Sequence, residues 1–233
     1  MVRKLLYILT ISISLISCGG ENTGTKKEGS KDLNVITFDI SYLNPPKDPF
    51  IKSTLPDSMM YFFKDDFVRT EVNLAKGNIQ LNYIANSSVP SLKESMKVYF
   101  TKSKYSYTGQ DITNYTSKYT PLNIKETGKT KVIVGHTCKE SLVSDPNTNE
   151  SYNIYYTEEL ESKDPNWFTP FPQIKGVILE YQMVQYNFLM KVKARKIETI
   201  PSDSLSFKFS SDYQSIDKEE LDRNHATFEQ FGI

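Results

Sequence analysis

The stretch Ile36-Thr37-Phe38-Asp39-Ile40-Ser41-Tyr42 (ITFDISY) switches between apolar and polar side chains at every step. A period of two is the period of a β-strand, so Ile36, Phe38, Ile40 and Tyr42 share one apolar face. The rhythm recurs downstream. Phe188, Met190, Val192 and Ala194 face one way and Lys191, Lys193 and Arg195 the other. Met59–Lys64 and Phe67–Leu74 flank Asp65-Asp66, a two-residue break that suits a hairpin. Ala75-Lys76-Gly77-Asn78 turns the chain into the alternating run Ile79–Tyr83. Met96–Thr101, Thr130–Val143, Ser151–Thr157 and Leu205–Ser210 are further strand candidates, and Gly176–Val184 pairs with Phe188–Thr199 across Gln185-Tyr186-Asn187. Short strands with turn signals between them predict a meandering antiparallel sheet, curved or closed, rather than βαβ units.

Helical periodicity is scarce. Pro90–Ser95 reads as a turn or two of helix. At the C-terminus Asp217 and Glu220 form a capping box, Leu221, Phe228 and Phe231 lie near one face, and Gly232 ends the segment. This predicts one terminal helix packed on the sheet.

Length and composition bound what such a chain can do. Its 233 residues carry Lys+Arg 28 against Asp+Glu 28, so there is no basic surplus for nucleic acid. Two cysteines exclude a disulfide-rich scaffold or a four-cysteine zinc site. No internal repeat or second domain boundary is visible, and no cofactor is called for.

The N-terminus reads as an address. Arg3 and Lys4 precede an apolar run, Leu5–Ile16, too short to span a membrane, which takes about 20 residues. Leu15-Ile16-Ser17-Cys18-Gly19 resembles the bacterial lipobox, in which the cysteine is acylated and becomes the first residue. Residues 1–17 are therefore expected to be a lipoprotein signal peptide, with Cys18 lipidated and membrane-anchored. Gly19 is not the aspartate that marks inner-membrane retention, which points to the outer membrane; the periplasmic face is the expected side, although no residue decides between the two faces. Residues 18–32 are polar and glycine-rich and read as a tether, and 33–233 as a single β domain.

Candidate chemistry is thin. His136 and Cys138, two apart on one strand, would share a face with Val132 and Val134. They could form a nucleophile pair or part of a metal site, or be a buried cysteine beside a hydrogen-bonded histidine. With Cys18 committed to lipid, Cys138 is expected to be a free, buried thiol. His225 lies in a charged helix with no visible co-ligands. No nucleophile elbow, phosphate loop or dinucleotide fingerprint is present. The carboxylate pairs Asp65-Asp66 and Glu158-Glu159 are adjacent residues that point apart. Tyrosines and lysines interleaved over Tyr99–Tyr119 suit sugar or base stacking, or simply strands with guarded edges. The long connection Glu158–Lys175 carries Trp167, Phe168 and Phe171 among prolines. These rings either plug one end of the curved sheet or form a lid over a ligand cavity, and with Tyr156 they are the ligand-lining candidates.

Three stretches look like a family pattern. They are Pro56-Asp57-Ser58-Met59 followed by Tyr61–Arg69, Gly135–Lys139 followed by Tyr155-Tyr156-Thr157, and Phe171-Pro172 through Gly176–Glu180. Together they resemble the small Bacteroidota-type envelope lipoproteins of the GLPGLI-like and related DUF groups, although Ile174-Lys175-Gly176-Val177-Ile178 stands where the literal motif would be. The resemblance implies an antiparallel half-barrel similar to periplasmic lipoprotein carriers such as LolA, and carries no catalytic residues across. The expected fold is thus mainly β, a curved antiparallel meander forming a half-open, LolA-like barrel with a short C-terminal helix. The expected function is non-enzymatic: a lipid-anchored envelope protein that binds a hydrophobic ligand, a lipid or a lipoprotein or partner segment, on a concave apolar sheet. The alternative is a structural or protein-interaction module with a plugged barrel and no ligand cavity.

Overall fold

A computed structural model describes residues 32–231, apart from 120 and 186–187, with side chains up to Phe228. The signal segment, Cys18, the tether up to residue 31 and Gly232 lie outside the described residues. Asp32, placed at the end of the tether by sequence, opens the first strand.

The chain is mainly β. Its strands are β1 (Asp32–Tyr42), β2 (Ser58–Lys64), β3 (Phe67–Leu74), β4 (Ile79–Asn86), β5 (Ser91–Val98) and β6 (Thr101–Tyr107). They continue as β7 (Asn123–Ile133), β8 (His136–Ser144), β9 (Ser151–Thr157), β10 (Val177–Gln185), β11 (Phe188–Pro201) and β12 (Gln214–Ser215). The helices are α1 (Pro49–Thr54), α2 (Gln110–Ser117) and α3 (Lys218–Phe231). All twelve strands form one sheet in the order β12-β6-β5-β4-β3-β2-β1-β11-β10-β9-β8-β7. Every pairing is antiparallel except β12 on β6, and the end strands β12 and β7 do not meet, so the sheet is open.

The topology is two meanders joined at β1. One runs from β2 to β6, the other back from β11 to β7, and β1 pairs with β2 on one side and β11 on the other. Curvature brings the two wings to one core. Ile36 and Phe38 of β1 belong to the same buried cluster as Tyr107 of β6, Cys138 of β8, Leu179 of β10 and Leu221 of α3. Bulges help the sheet bend, because an extra residue on one strand kinks it and increases its twist. The β1–β11 ladder slips between Thr37 and Phe38, the β9–β10 ladder between Ile178 and Glu180, and the β7–β8 ladder between Glu126 and Thr130.

Several boundaries differ from the sequence reading. Pro90–Ser95 is not helical: Ser91 starts β5, and Met96–Thr101 straddles the turn at Tyr99-Phe100. Thr130–Val143 is a hairpin rather than one strand, turning at Val134-Gly135. Leu205–Ser210 is not a strand. Leu205 and Phe207 instead lie with Leu33, Val35, Phe62 and Ile200 in a cluster on the face opposite Ile36 and Phe38. β1 is consequently buried on both sides, with Leu33 and Val35 as covered as Ile36. Two helices were not anticipated. The Asp48 side chain caps α1 by accepting from Phe50 N at 2.7 Å, with Pro49 at its first turn. The N-cap of α3 is as read, Glu220 N donating to Asp217 Oδ1 at 2.8 Å.

The turn between β7 and β8 contains a local conflict. Val134 has φ 47° and Gly135 φ 81°, the backbone of a two-residue hairpin that favours Asn-Gly. A β-branched residue is strained there, by about 1–2 kcal/mol, and Val134 is partly exposed. Val134→Asn should therefore raise the thermal midpoint by a few degrees in a calorimetric scan. A lowered midpoint would show that Val134 contributes packing that outweighs the strain.

Candidate functional site

The concave face holds a cavity of about 460 Å³. One wall is the sheet: Phe38 and Ile40 of β1, Met59 and Tyr61 of β2, Val72 of β3, Tyr181 and Met183 of β10, and Met190 and Val192 of β11 all face it. These are the inward members of the alternation read from the sequence. The opposite wall comes from elements that cross the concavity, namely Tyr115, Lys118 and Tyr119 at the end of α2 and His225 of α3.

The connection from residue 158 to 176 closes one end. Lys163 N donates to the Asp65 carbonyl (3.2 Å) at the β2–β3 turn, and Ser87 Oγ, beyond β4, donates to the Lys163 carbonyl (2.7 Å). Asn166, itself buried, holds the loop shut by donating from Nδ2 to the carbonyls of Ile174 (2.7 Å) and Gly176 (2.8 Å). Gly176 sits where no larger residue fits: a Cβ there would lie 2.5 Å from the Thr157 carbonyl oxygen. So braced, the loop presents Phe168 and Phe171 to the cavity as its floor, while space remains above them. Of the four candidates, Phe168 and Phe171 thus line the cavity. Trp167 packs edge-on against Phe168 (5.7 Å between ring centroids) but does not itself reach the cavity. Tyr156 lies elsewhere as well. It belongs to a second core cluster with Ile154, Phe171 and Ile178, and its hydroxyl donates to Glu126 at 2.7 Å.

The other end is open, and its rim is apolar. Leu43 N bonds to the Leu189 carbonyl, and Leu189 is paired with Val184. Tyr99 N bonds to the Asn78 carbonyl after β3, where the 3-10 turn at 75–77 meets α1. Along this rim Leu43, Phe50, Tyr99, Phe100 and Val184 all project into solvent, Phe100 at 99% and Phe50 at 74% exposure. Leu55, Pro56, Leu74 and Phe188 line the cavity just inside it.

Polar groups share the lining with the apolar ones. Six tyrosines line the cavity (Tyr42, Tyr61, Tyr83, Tyr115, Tyr119 and Tyr181). Burial raises the hydroxyl pKa of both Tyr61 and Tyr181, so at neutral pH they are uncharged. Behind the wall lies Glu94, which is 1% exposed. One of its oxygens accepts from the Tyr107 hydroxyl (2.7 Å), and the other lies 2.6 Å from His225 Nε2. No partner for His225 was visible in the sequence because Glu94 is 131 residues away.

The sequence candidates for chemistry are dispersed. The turn at Val134-Gly135 breaks the shared face proposed for Val132, Val134, His136 and Cys138, and Val132 is 67% exposed. His136 Nδ1 lies 3.0 Å from Glu159 Oε2, whose carboxyl is lowered by that contact and by the Thr137 amide. Cys138 is buried, free, and donates weakly to the His136 carbonyl. On the face away from the cavity, Glu180 is pulled down in pKa. Burial pushes it up, but Lys131 (2.7 Å) and Lys191 (2.9 Å) more than offset this. No group of three or more potential metal ligands occurs among the described residues, and no helix among them is long and apolar enough to cross a membrane.

No family model and no curated protein matches the chain. Among solved structures it is similar to a chain described as PNGF-II in a C2 space group, with a TM-score of 0.51 and 13% identity. The match covers 82% of this chain and 32% of that one, so this chain spans about a third of the other's length. At that identity the likeness is one of fold alone.

Two outcomes test this arrangement. Asn166→Ala removes two buried hydrogen bonds and strands two carbonyls, at about 1–3 kcal/mol. It should lower the denaturation midpoint and open the 158–176 loop to limited proteolysis, whereas unchanged protection would mean the loop is held by its rings. Burial pushes the Cys138 thiol up to about 11, so at pH 8 its thiolate is about a hundred times scarcer than in an ordinary cysteine. In a Cys18→Ser chain, an aromatic disulfide reagent should therefore label Cys138 at least 100-fold slower before denaturation than after it.

Proposed function

We propose that this protein is a non-enzymatic, lipid-anchored envelope protein whose curved sheet binds an apolar chain, either a lipid acyl group or an apolar partner segment. The observation that carries this reading is the cavity. Its volume lies within the 300–1,000 Å³ typical of ligand sites. Its lining is mostly aliphatic and aromatic, with tyrosine hydroxyls and the polar side chains of Thr70, Lys118, Asn166, Thr169, Gln185 and His225 among it, and the 158–176 loop floors it without filling it. The open space favours this reading over a plugged interaction module.

The rim supports the envelope setting. Apolar tips contributed by separate turns, with Lys47, Lys52 and Lys76 on the same turns, suit contact with a lipid surface. The geometry of the anchor is compatible. β1 starts at the end of the sheet away from this rim and is about 36 Å long for its eleven residues. Residues 18–31, stretched out, span at most about 50 Å, so a chain acylated at Cys18 can still turn its rim toward the same bilayer. The envelope placement also rests on the lipobox and on the resemblance to Bacteroidota-type lipoproteins.

The test is a chain-length series. The full chain with Cys18→Ser, whose own acyl group is then absent, is titrated with straight-chain alcohols while Trp167 emission is followed through its contact with Phe168. Each methylene accommodated adds up to about 0.8 kcal/mol, or roughly fourfold in affinity, until the chain outgrows the cavity. Val72→Phe, which narrows the cavity without adding a second indole, should shorten the longest alcohol that still gains affinity. Affinity independent of chain length, or a length limit unaffected by Val72→Phe, would overturn the reading.

A further inference from the structure

We infer that the open rim is a membrane-docking surface: Phe50, Tyr99 and Phe100 seat in the outer layer of a phospholipid bilayer, and an apolar chain passes between that bilayer and the cavity without crossing water. The inference rests on the cavity being a ligand site and adds the partner from which the ligand comes.

The turn between β5 and β6 carries it. β5 ends at Val98 and β6 begins at Thr101, so Tyr99-Phe100 is a two-residue hairpin loop. Tyr99 has φ 52°, a left-handed backbone that such loops ordinarily give to glycine, asparagine or aspartate. The β2–β3 loop at the opposite end of the sheet follows that rule, with Asp65 at φ 53° and a second aspartate beside it. At the rim the same backbone carries an aromatic ring, which strains the turn by about 1–2 kcal/mol. No burial within the protein offsets this, because Tyr99 is 61% exposed and Phe100 is 99% exposed.

The tip has neighbours of the same kind. Tyr99 N bonds to the Asn78 carbonyl, the 75–77 turn meets α1, and α1 projects Phe50. Lys52 and Lys76 are exposed on these elements. The two carboxylates flanking α1 are engaged locally, Asp48 by Phe50 N and Asp57 by Ser58 Oγ. Aromatic tips with lysines beside them match a layer of phosphate headgroups above acyl chains.

A bilayer fits these tips better than a protein does. They are single side chains raised on separate turns, whereas a stable protein interface takes about 800 Å² of complementary surface from each partner. A fluid lipid surface closes around isolated rings. Docking also joins two apolar spaces. Phe50 points outward from α1, while Leu55 and Pro56 after it, and Leu74 beside the 75–77 turn, line the cavity. The chain that precedes β1 permits the orientation, since residues 18–31 reach at most about 50 Å and β1 is about 36 Å long.

The test uses the full chain with Cys18→Ser, which lacks the anchor, and vesicles of phosphatidylcholine and phosphatidylglycerol. In a Trp167→Phe background, Phe100→Trp should shift its emission to the blue on vesicles and be quenched by lipids brominated high in the acyl chain. Val89→Trp, at the opposite end of the sheet, should do neither. Phe50→Ser combined with Phe100→Ser should weaken partition onto vesicles by about tenfold or more, without lowering the thermal midpoint or the affinity for decanol. Parinaryl alcohol loaded into the cavity should transfer to vesicles at a rate that rises with vesicle concentration, and the double variant should flatten that dependence. Absent partition, or equal response of the two tryptophan reporters, overturns the docking surface, and a transfer rate independent of vesicle concentration overturns the direct passage. Decanol binding retained in those cases leaves the ligand site standing, whereas its absence in the unsubstituted rim overturns the site itself.

Discussion

The structure depends on β1. It is the strand through which the two meanders become one sheet, paired along most of its length with β2 and over its whole length with β11. Those contacts join residues separated by up to about 170 positions in the chain. Such long closures are costly in chain entropy, so the strand that makes them must be held strongly. It is: Ile36 and Phe38 are buried on the concave side, Leu33 and Val35 on the other. The register is equally constrained, because a slip of one residue would exchange the two faces. The bulge beside Thr37-Phe38 lets the strand bend without that exchange.

Buried charge is handled by pairing within the same fold. Glu94 would be expensive under α3 if left alone. Tyr107 and His225 supply one partner to each of its oxygens, which ties helix to sheet as well as satisfying the carboxylate. On the opposite face Glu180 is flanked by Lys131 and Lys191 from different strands, and Lys131 also lies over the Tyr155 ring. Such clusters are weak sources of net stability, since desolvation offsets the attraction. They do fix which strands stand next to one another.

The β class, the β2–β3 hairpin, the β10–β11 pair and the capped terminal helix were legible because each is set by local signals. Phe188–Ala194 alternates cleanly, and Asp217 caps through a bond three residues long. Features set by distant residues were not legible. The hairpin at Val134-Gly135 was hidden because valine opposes the conformation it is forced into. The second buried face of β1 was hidden because Leu205 and Phe207 reach it from an irregular segment. Among site residues, Phe168 and Phe171 stood out as bulky rings in a loop, and they do floor the cavity. Trp167 gave the same signal from the neighbouring position but packs behind Phe168, and Tyr156 faces a different cluster because the strand pairing of β9, not its composition, decides where it points. Lys118, Tyr115 and Tyr119 were visible only as members of the interleaved Tyr99–Tyr119 run, with nothing to say that three of them would meet at one wall, and Glu94 gave no signal, being a strand glutamate until the fold sets His225 against it.

Why the cavity stays open is itself a packing question. Protein interiors close to crystal-like density when their side chains can move together. Here the two walls cannot approach. The sheet wall is fixed by ladder hydrogen bonds through β1, and the loop at its floor is fixed by Asn166 and by the close approach of Gly176 to the Thr157 carbonyl. The opposite wall stands off on Tyr115 and Tyr119, whose rings meet at 6.1 Å, and on the Glu94–His225 contact. Collapse would break one of these polar braces inside an apolar setting, where an unsatisfied group costs about 1–3 kcal/mol. The braces thus hold the walls apart and leave the space between them open.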